Sequence, residues 1–249
     1  MLAGAQYLDL VWYRVCLNHV WGYIQPVLVA IHQLVDNVRL PYSIEAVNTI
    51  TEEWASISRR RFDGMDLLPD QVGATDGVVI EVTKRCADDL KGRDPGVYRN
   101  RKGFFALVAQ AIVGAYCQFL MFEIQWPGAT NDCTAFEQSE AIPWLDWLES
   151  QNRGWLPGDD AYSAVHKRVC TPFPKKQLRN ARTESPLTYY KMRAFNHVLS
   201  SRRITVERAF GILIRRWGCL WSVLERRDRE CLLMIIVCVK LHNICVARW

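Results

Sequence analysis

Residues 103–126, "GFFALVAQAIVGAYCQFLMFEIQW", constrain the fold most. The run holds one charged side chain, Glu123, and has Gly114 near its middle. An apolar run of this length forms either one buried helix or two strands folded back on each other. Its aromatic residues and the central glycine favour the hairpin. A short β-branched run, "GVVIEV" at 77–82, precedes it and reads as another strand. Helical spacing follows through Phe136, Ile142, Leu145 and Leu148, with Pro143 marking a kink or a second start. "GWLPGDD" then reads as a strand entering a loop. The segment 200–225 has the strongest helical pattern, with Ile204, Phe210, Leu213, Trp217 and Leu220 as its expected buried side. A last helix is expected over 229–246. Strand, hairpin, helix, strand, helix is the order of an α/β domain with a mixed sheet.

Before this block, residues 5–62 read as helices. Pro26 interrupts the first stretch or starts another helix. Ser43 stands as an N-cap for "IEAVNTITEEWASISRRR", and Arg59 to Arg61 place positive charge at that helix's C-terminal end. Residues 161–200, with Pro172, Pro174 and Pro186, read as a basic, loop-rich connection.

The chain has 249 residues, half of them apolar, enough for one large domain with a helical appendage. Its net charge is +5, unevenly spread: residues 167–230 hold 16 Lys and Arg against 5 Asp and Glu. That asymmetry points to a polyanion on the C-terminal surface. None of the nine cysteines forms a CxxC pair, and several lie in apolar runs. Reduced cysteines in a reducing intracellular compartment are expected. No signal-peptide pattern is visible at the N-terminus, and the longest C-terminal apolar run, ending at Lys240, is too short to span a bilayer.

Three carboxylates stand at the edges of these elements: Asp76 in "GATDGVVIEV", Asp159 in "WLPGDDAYS" and Glu207 in "ITVERAFGILIRRW". Strand ends that face one helix are where an open α/β sheet collects functional groups. Two aspartates and a glutamate offer hard oxygen ligands to Mg²⁺ or Mn²⁺, and a pair of such ions supports in-line phosphodiester displacement. Spacing alone is weak support, because 26 acidic residues supply many triples.

The surrounding segments are more specific. "GATDGVVIEV", "YRNRKGFFALVAQAIV", "WPGATNDCTAFEQSE", "PGDDAYSAVHKRVCTPF", "FNHVLSSRRITVERAFG" and "CVKLHNIC" follow in order from about Leu68 to Cys245. In this the chain resembles the DDE transposases of the Harbinger superfamily and the nuclease-like proteins derived from them. The resemblance implies an RNase H-like fold over residues 67–249, after an N-terminal helical extension at 1–66 with a helix-turn-helix character. It implies catalytic and metal-binding roles for Asp76, Asp159 and Glu207, with Mg²⁺ or Mn²⁺ as cofactor. Asp159 is preferred to Asp160 because it follows Gly158 directly and stands three residues before Tyr162. Asp132 is a supporting residue or a further metal ligand. Lys102, Arg203, Arg208, Arg215 and Arg216 are the expected DNA contacts, Arg203 sharing a helix face with Glu207.

The implied function is metal-dependent DNA cleavage or strand transfer in the nucleus. A Myb-like protein partner is implied, self-association is compatible, and no membrane is involved. The alternative is a catalytically silent DNA- or protein-binding module with the same fold. Several positions depart from the family pattern: Val78, Asn131, Cys133, Ala161 and Ile214. None of them is a proposed metal ligand.

Overall fold

A computed structural model describes residues 17–84, 94–221, 223–224 and 228–247. The helical spacing read before residue 17, Cys16, Cys86 and part of the charged 84–101 segment lie outside the described residues. Two helices come first, α1 (Leu17–Leu34) and α2 (Ile44–Arg61). Pro26 sits inside α1 and so neither ends nor starts a helix. Ser43 caps α2 as expected, its Oγ accepting the Ala46 N–H, and Arg59, Arg60 and Arg61 fill its last turn. Residues 35–43 join the two helices without a tight turn.

The apolar run is a hairpin. β1 (Ala74–Glu81), β2 (Ala106–Val113) and β3 (Phe119–Pro127) form an antiparallel ladder in the order β1-β2-β3. β2 is buried along its whole length because both faces of the sheet are covered, which explains its unbroken apolar sequence. α3 (Asp132–Glu137) and α4 (Ala141–Ser150) follow, so the second start near Pro143 is the correct alternative. β4 (Leu156–Pro157) pairs in parallel with β5 (Val169–Cys170). A parallel bridge between Gln71 and Trp155, with the Val72 N–H donating to the Trp155 carbonyl, sets β4 beside the approach to β1. The three-stranded antiparallel sheet β3-β2-β1 thus has the two-stranded parallel sheet β4-β5 set against it on the β1 side. This is the RNase H-like arrangement.

Alternating side chains feed two cores. Ala111, Val113 and Phe119 pack with Ile50 and Trp54 of α2 and with Val206, Ala209, Phe210 and Leu213. Ile112 and Met121 face the opposite layer, against Phe136, Trp144, Leu145, Leu148 and Tyr162. The C-terminal helices are α5 (Lys175–Glu184), α6 (Pro186–Arg216) and α7 (Asp228–Val246). Much of the expected 161–200 loop is therefore helical. Pro174 is the N-cap of α5 and Pro186 occupies the first turn of α6, where a missing N–H costs nothing. Ile204 is 45% exposed, contrary to its expected burial. Trp217 is the C-cap of α6, and Trp221 lies beyond a short 3₁₀ turn.

Buried Arg202 fastens α6 to the molecule. Its Nη1 donates to the Trp54 carbonyl at 3.1 Å, and its Nη2 pairs with Asp66 at 2.8 Å. Cys117, Cys133, Cys170, Cys219, Cys231, Cys238 and Cys245 are free thiols. Among the described residues no helix is long and apolar enough to cross a membrane.

Candidate active site

Asp76 is the third residue of β1, opposite Ala111. It is largely buried, and its Oδ1 accepts the Gly77 N–H at 2.9 Å. Arg203 of α6 joins two of the expected catalytic residues. Its Nη1 pairs with Asp76 Oδ2 at 2.8 Å and its Nη2 with Glu207 Oε1 at 2.6 Å. One guanidinium thus lies between the strand carboxylate and the helix carboxylate.

Burial nevertheless raises Asp76 to about 6, helped by the charges of Asp159 and Asp132 and opposed by Arg203 and the Gly77 N–H. Burial also raises Asp132, with the charge of Asp159 adding to it and Arg101 and Gln110 opposing. The three aspartates therefore share one electrostatic field at the end of the sheet. Tyr162 lies in the same field: burial and the charges of Asp132, Asp76 and Asp159 push its hydroxyl up, so it stays protonated and donates to Gln110 Oε1 at 2.9 Å.

Asp132 is closer to this centre than a merely supporting residue needs to be. It is the first residue of α3, whose N-cap Asn131 accepts the Thr134 N–H. Buried Gln110 reaches its carbonyl and its Oδ1 at 3.5 Å each. A Cβ on Gly77 would lie 2.5 Å from Asp132 Oδ1 and 2.9 Å from Gln110 Nε2. The glycine after Asp76 therefore makes room for the second carboxylate. Asp159 caps the 3₁₀ turn Asp160–Tyr162 by accepting the Ala161 N–H, while Asp160 is exposed. It is the charge of Asp159 that acts on Asp76 and Asp132.

The donor set is hard oxygen, which fits Mg²⁺ or Mn²⁺. Among the described residues, neither Asp76, Asp159 and Glu207 nor the three aspartates bring ligand oxygens within 4.8 Å of one another. The Arg203 guanidinium between Asp76 and Glu207 accounts for the wider spacing on that side. Like charges held this way suit a cation that replaces the guanidinium.

The sequence profile of the DDE superfamily endonucleases matches residues 75–243. The chain belongs to that family. Asp76, Asp132, Asp159, Glu207 and Arg203 all lie inside the matched segment. No curated protein matches the sequence. Solved structures similar to the chain include the Mos1 transposase paired-end complex with left transposon end, at 15% identity over 88% of this chain and 74% of that one, TM-score 0.28. Another is the Mos1 mariner paired-end complex with Mn, at 14% identity over 98% and 74%, TM-score 0.28. Overlaps this loose carry no argument beside the strand order and the family match.

The expected DNA contacts in this DDE family member separate in space. Arg203 belongs to the carboxylates. Arg208 and Arg216 line a different groove, with Arg60 and Arg61 of α2 and the β2–β3 turn. Arg215 is exposed on α6, and Lys102 is exposed in the turn before β2. Its neighbour Arg101 is the one whose charge acts on Asp132.

A second cluster had no sequence signal. Asp146 and Glu149 of α4 and His166 bring ligand atoms within 4.8 Å of one another. His166 Nδ1 accepts the Arg168 N–H at 3.0 Å, so the ring proton sits on Nε2, facing Asp146 at 3.3 Å and Glu149 at 3.8 Å. A protonated Nε2 has no lone pair for a metal. Lys167 also pairs with Glu149. This wiring makes a hydrogen-bonded cluster with one ion pair, Lys167–Glu149.

Proposed function

We propose that the chain is a metal-dependent DNA endonuclease of Harbinger transposase descent. The observation that carries this reading is the convergence of Asp76, Asp132 and Asp159 in one field, with Arg203 linking Asp76 to Glu207, in a DDE endonuclease sequence. Asp76, Asp159 and Glu207 are the ligands, and Asp132 is placed to add a fourth carboxylate. Bound divalent ions supply Lewis acidity and an activated water for in-line attack on a phosphodiester. Gln110 orients Asp132, and the protonated Tyr162 hydroxyl orients Gln110. Arg203 lies beside the carboxylates, where its planar fork would suit a phosphate of the bound strand. In this proposal the protein works in the nucleus, a separate Myb-like partner reads the target, and copies of the chain assemble on DNA.

The test is Mg²⁺-dependent nicking of supercoiled DNA. Wild type should cut and Glu207→Gln should not; equal cutting by both would sink the assignment.

A second reading, a catalytically silent DNA-binding module, is favoured by one observation. Arg203 already pairs with both Asp76 and Glu207 and occupies the space between them. It predicts salt-sensitive DNA binding with no metal-dependent cutting by the wild-type protein.

A further inference from the structure

We propose that the helical hairpin of α5 and the first half of α6 is a DNA-gripping arm, holding duplex about seven base pairs from the carboxylate site. This rests on the reading of that site as one that acts on DNA. The hairpin stands off the core. α5 buries only Ala181, and the first buried residue of α6 is Leu199. A helical pair with so little apolar burial is not explained by core packing, and its surface shows a different use.

Lys175, Lys176, Arg179, Arg182, Lys191 and Arg193 are all exposed on the hairpin, against the single acidic residue Glu184. None of the six pairs with a carboxylate among the described residues. A merely solvated face usually interleaves both signs, whereas unpaired like charges repel and are relieved by a polyanion.

The cations are also ordered. The guanidinium carbons of Arg182 on α5 and Arg193 on α6 stand 6.0 and 5.6 Å from the centroid of the Tyr189 ring. That ring braces both forks and leaves their N–H donors free for phosphate oxygens. Beside it, Tyr190 and Leu187 are 64% and 66% exposed.

The partner's geometry follows from α6 itself. The arm and Glu207 lie on one continuous helix. From Tyr190 to Glu207 the helical rise amounts to about 25 Å. That is the axial length of about seven base pairs at roughly 3.4 Å each. A duplex longer than this is long enough to reach from the arm to the carboxylates.

The experiment uses the full chain and the variant Lys175→Gln, Lys176→Gln, Arg179→Gln, Lys191→Gln, which keeps the Arg182–Tyr189–Arg193 brace. Circular dichroism and melting confirm that both fold alike. Binding to a duplex of about 20 base pairs is titrated in EDTA at several salt concentrations. The expected result is a loss of affinity of about tenfold or more. The slope of log K against log salt should also become shallower by roughly 0.9 for each phosphate contact removed. Shortening the duplex to about six base pairs should shrink the difference between the two proteins. Unchanged affinity and slope would overturn the proposal, and so would poly-glutamate competing as well as DNA at equal charge. Arm-dependent binding by a wild-type protein that fails to cut in Mg²⁺ supports the arm and refutes only the nuclease reading.

Discussion

Two acidic clusters in this molecule differ in a telling way. Asp146, Glu149 and His166 are compact: the His166 ring lies between the two carboxylates, and Lys167 pairs with Glu149. Asp76, Asp132, Asp159 and Glu207 are spread more widely, and burial pushes Asp132 up and Asp76 to about 6 in spite of its arginine. Distance alone would choose the first cluster as a metal centre. The proposed function rests on the second, because strongly perturbed carboxylates concentrate at functional sites.

The sharpest way to break this comparison is to remove one carboxylate from each cluster. Asp159→Asn should lower Mg²⁺-dependent DNA cutting by at least about 100-fold, beyond the usual effect of an outer-shell change. Asp146→Asn should leave cutting within about twofold. Equal losses on the same nicking gel would erase the distinction.

A smaller effect tests the room left for Asp132. Gly77→Ala puts a Cβ 2.5 Å from Asp132 Oδ1 and 2.9 Å from Gln110 Nε2. Overpacking of this kind costs about 1–3 kcal/mol, and cutting should fall with it. Thermal melting and nicking assays read both. A fully active, equally stable variant would show that Asp132 is dispensable at the centre.

The load on Asp76 also sets a pH dependence in the metal-free protein. Its folded value, about 6, lies above the ordinary 3.8. Between these values the folded state binds more protons than the unfolded state. The stability contributed by protonated Asp76 is therefore complete below about 4 and lost as pH rises through about 6. Asp76→Asn should remove this slope and be the more stable protein near pH 8, by up to about 3 kcal/mol. Divalent binding should run the other way, strengthening as pH rises through about 6. Denaturation curves across pH, with and without Mg²⁺, check both signs; a wild-type slope retained in Asp76→Asn would refute the assignment.

The smallest effect belongs to the compact cluster. The Asp146 carboxylate is mostly exposed, and exposed pairs contribute little. Asp146→Asn should change stability by less than about 1 kcal/mol in a melting experiment.

Much of this was legible in the sequence. The hairpin at 103–126 announced itself through its aromatics and Gly114, and Ser43 was readable as a cap because its chemistry is local. α5 and the front of α6 were not legible. Prolines 174 and 186 looked like breakers when they are helix starters, and a hairpin that buries only Ala181 and Leu199 has no apolar period to read. At the site, the family-like segments pointed to Asp76, Asp159 and Glu207, and the structure links Asp76 to Glu207 through Arg203. The closeness of Asp132 to Gly77 depends on the β1–β2 register and on the position of α3, which spacing along the chain does not contain. The ring wiring of His166 is tertiary in the same way.

The seating of α6 has a mechanical consequence. From Leu199 onward the helix is clamped by buried side chains and by the Arg202 anchor, and before that point it is held by α5 and by the Phe173 contacts to Phe195 and Asn196. It is a cantilever, with Glu207 in the fixed part and Tyr190 near the tip. Bending at the tip decays toward the support, so the outer half can follow the curvature of whatever it touches while Glu207 keeps its register.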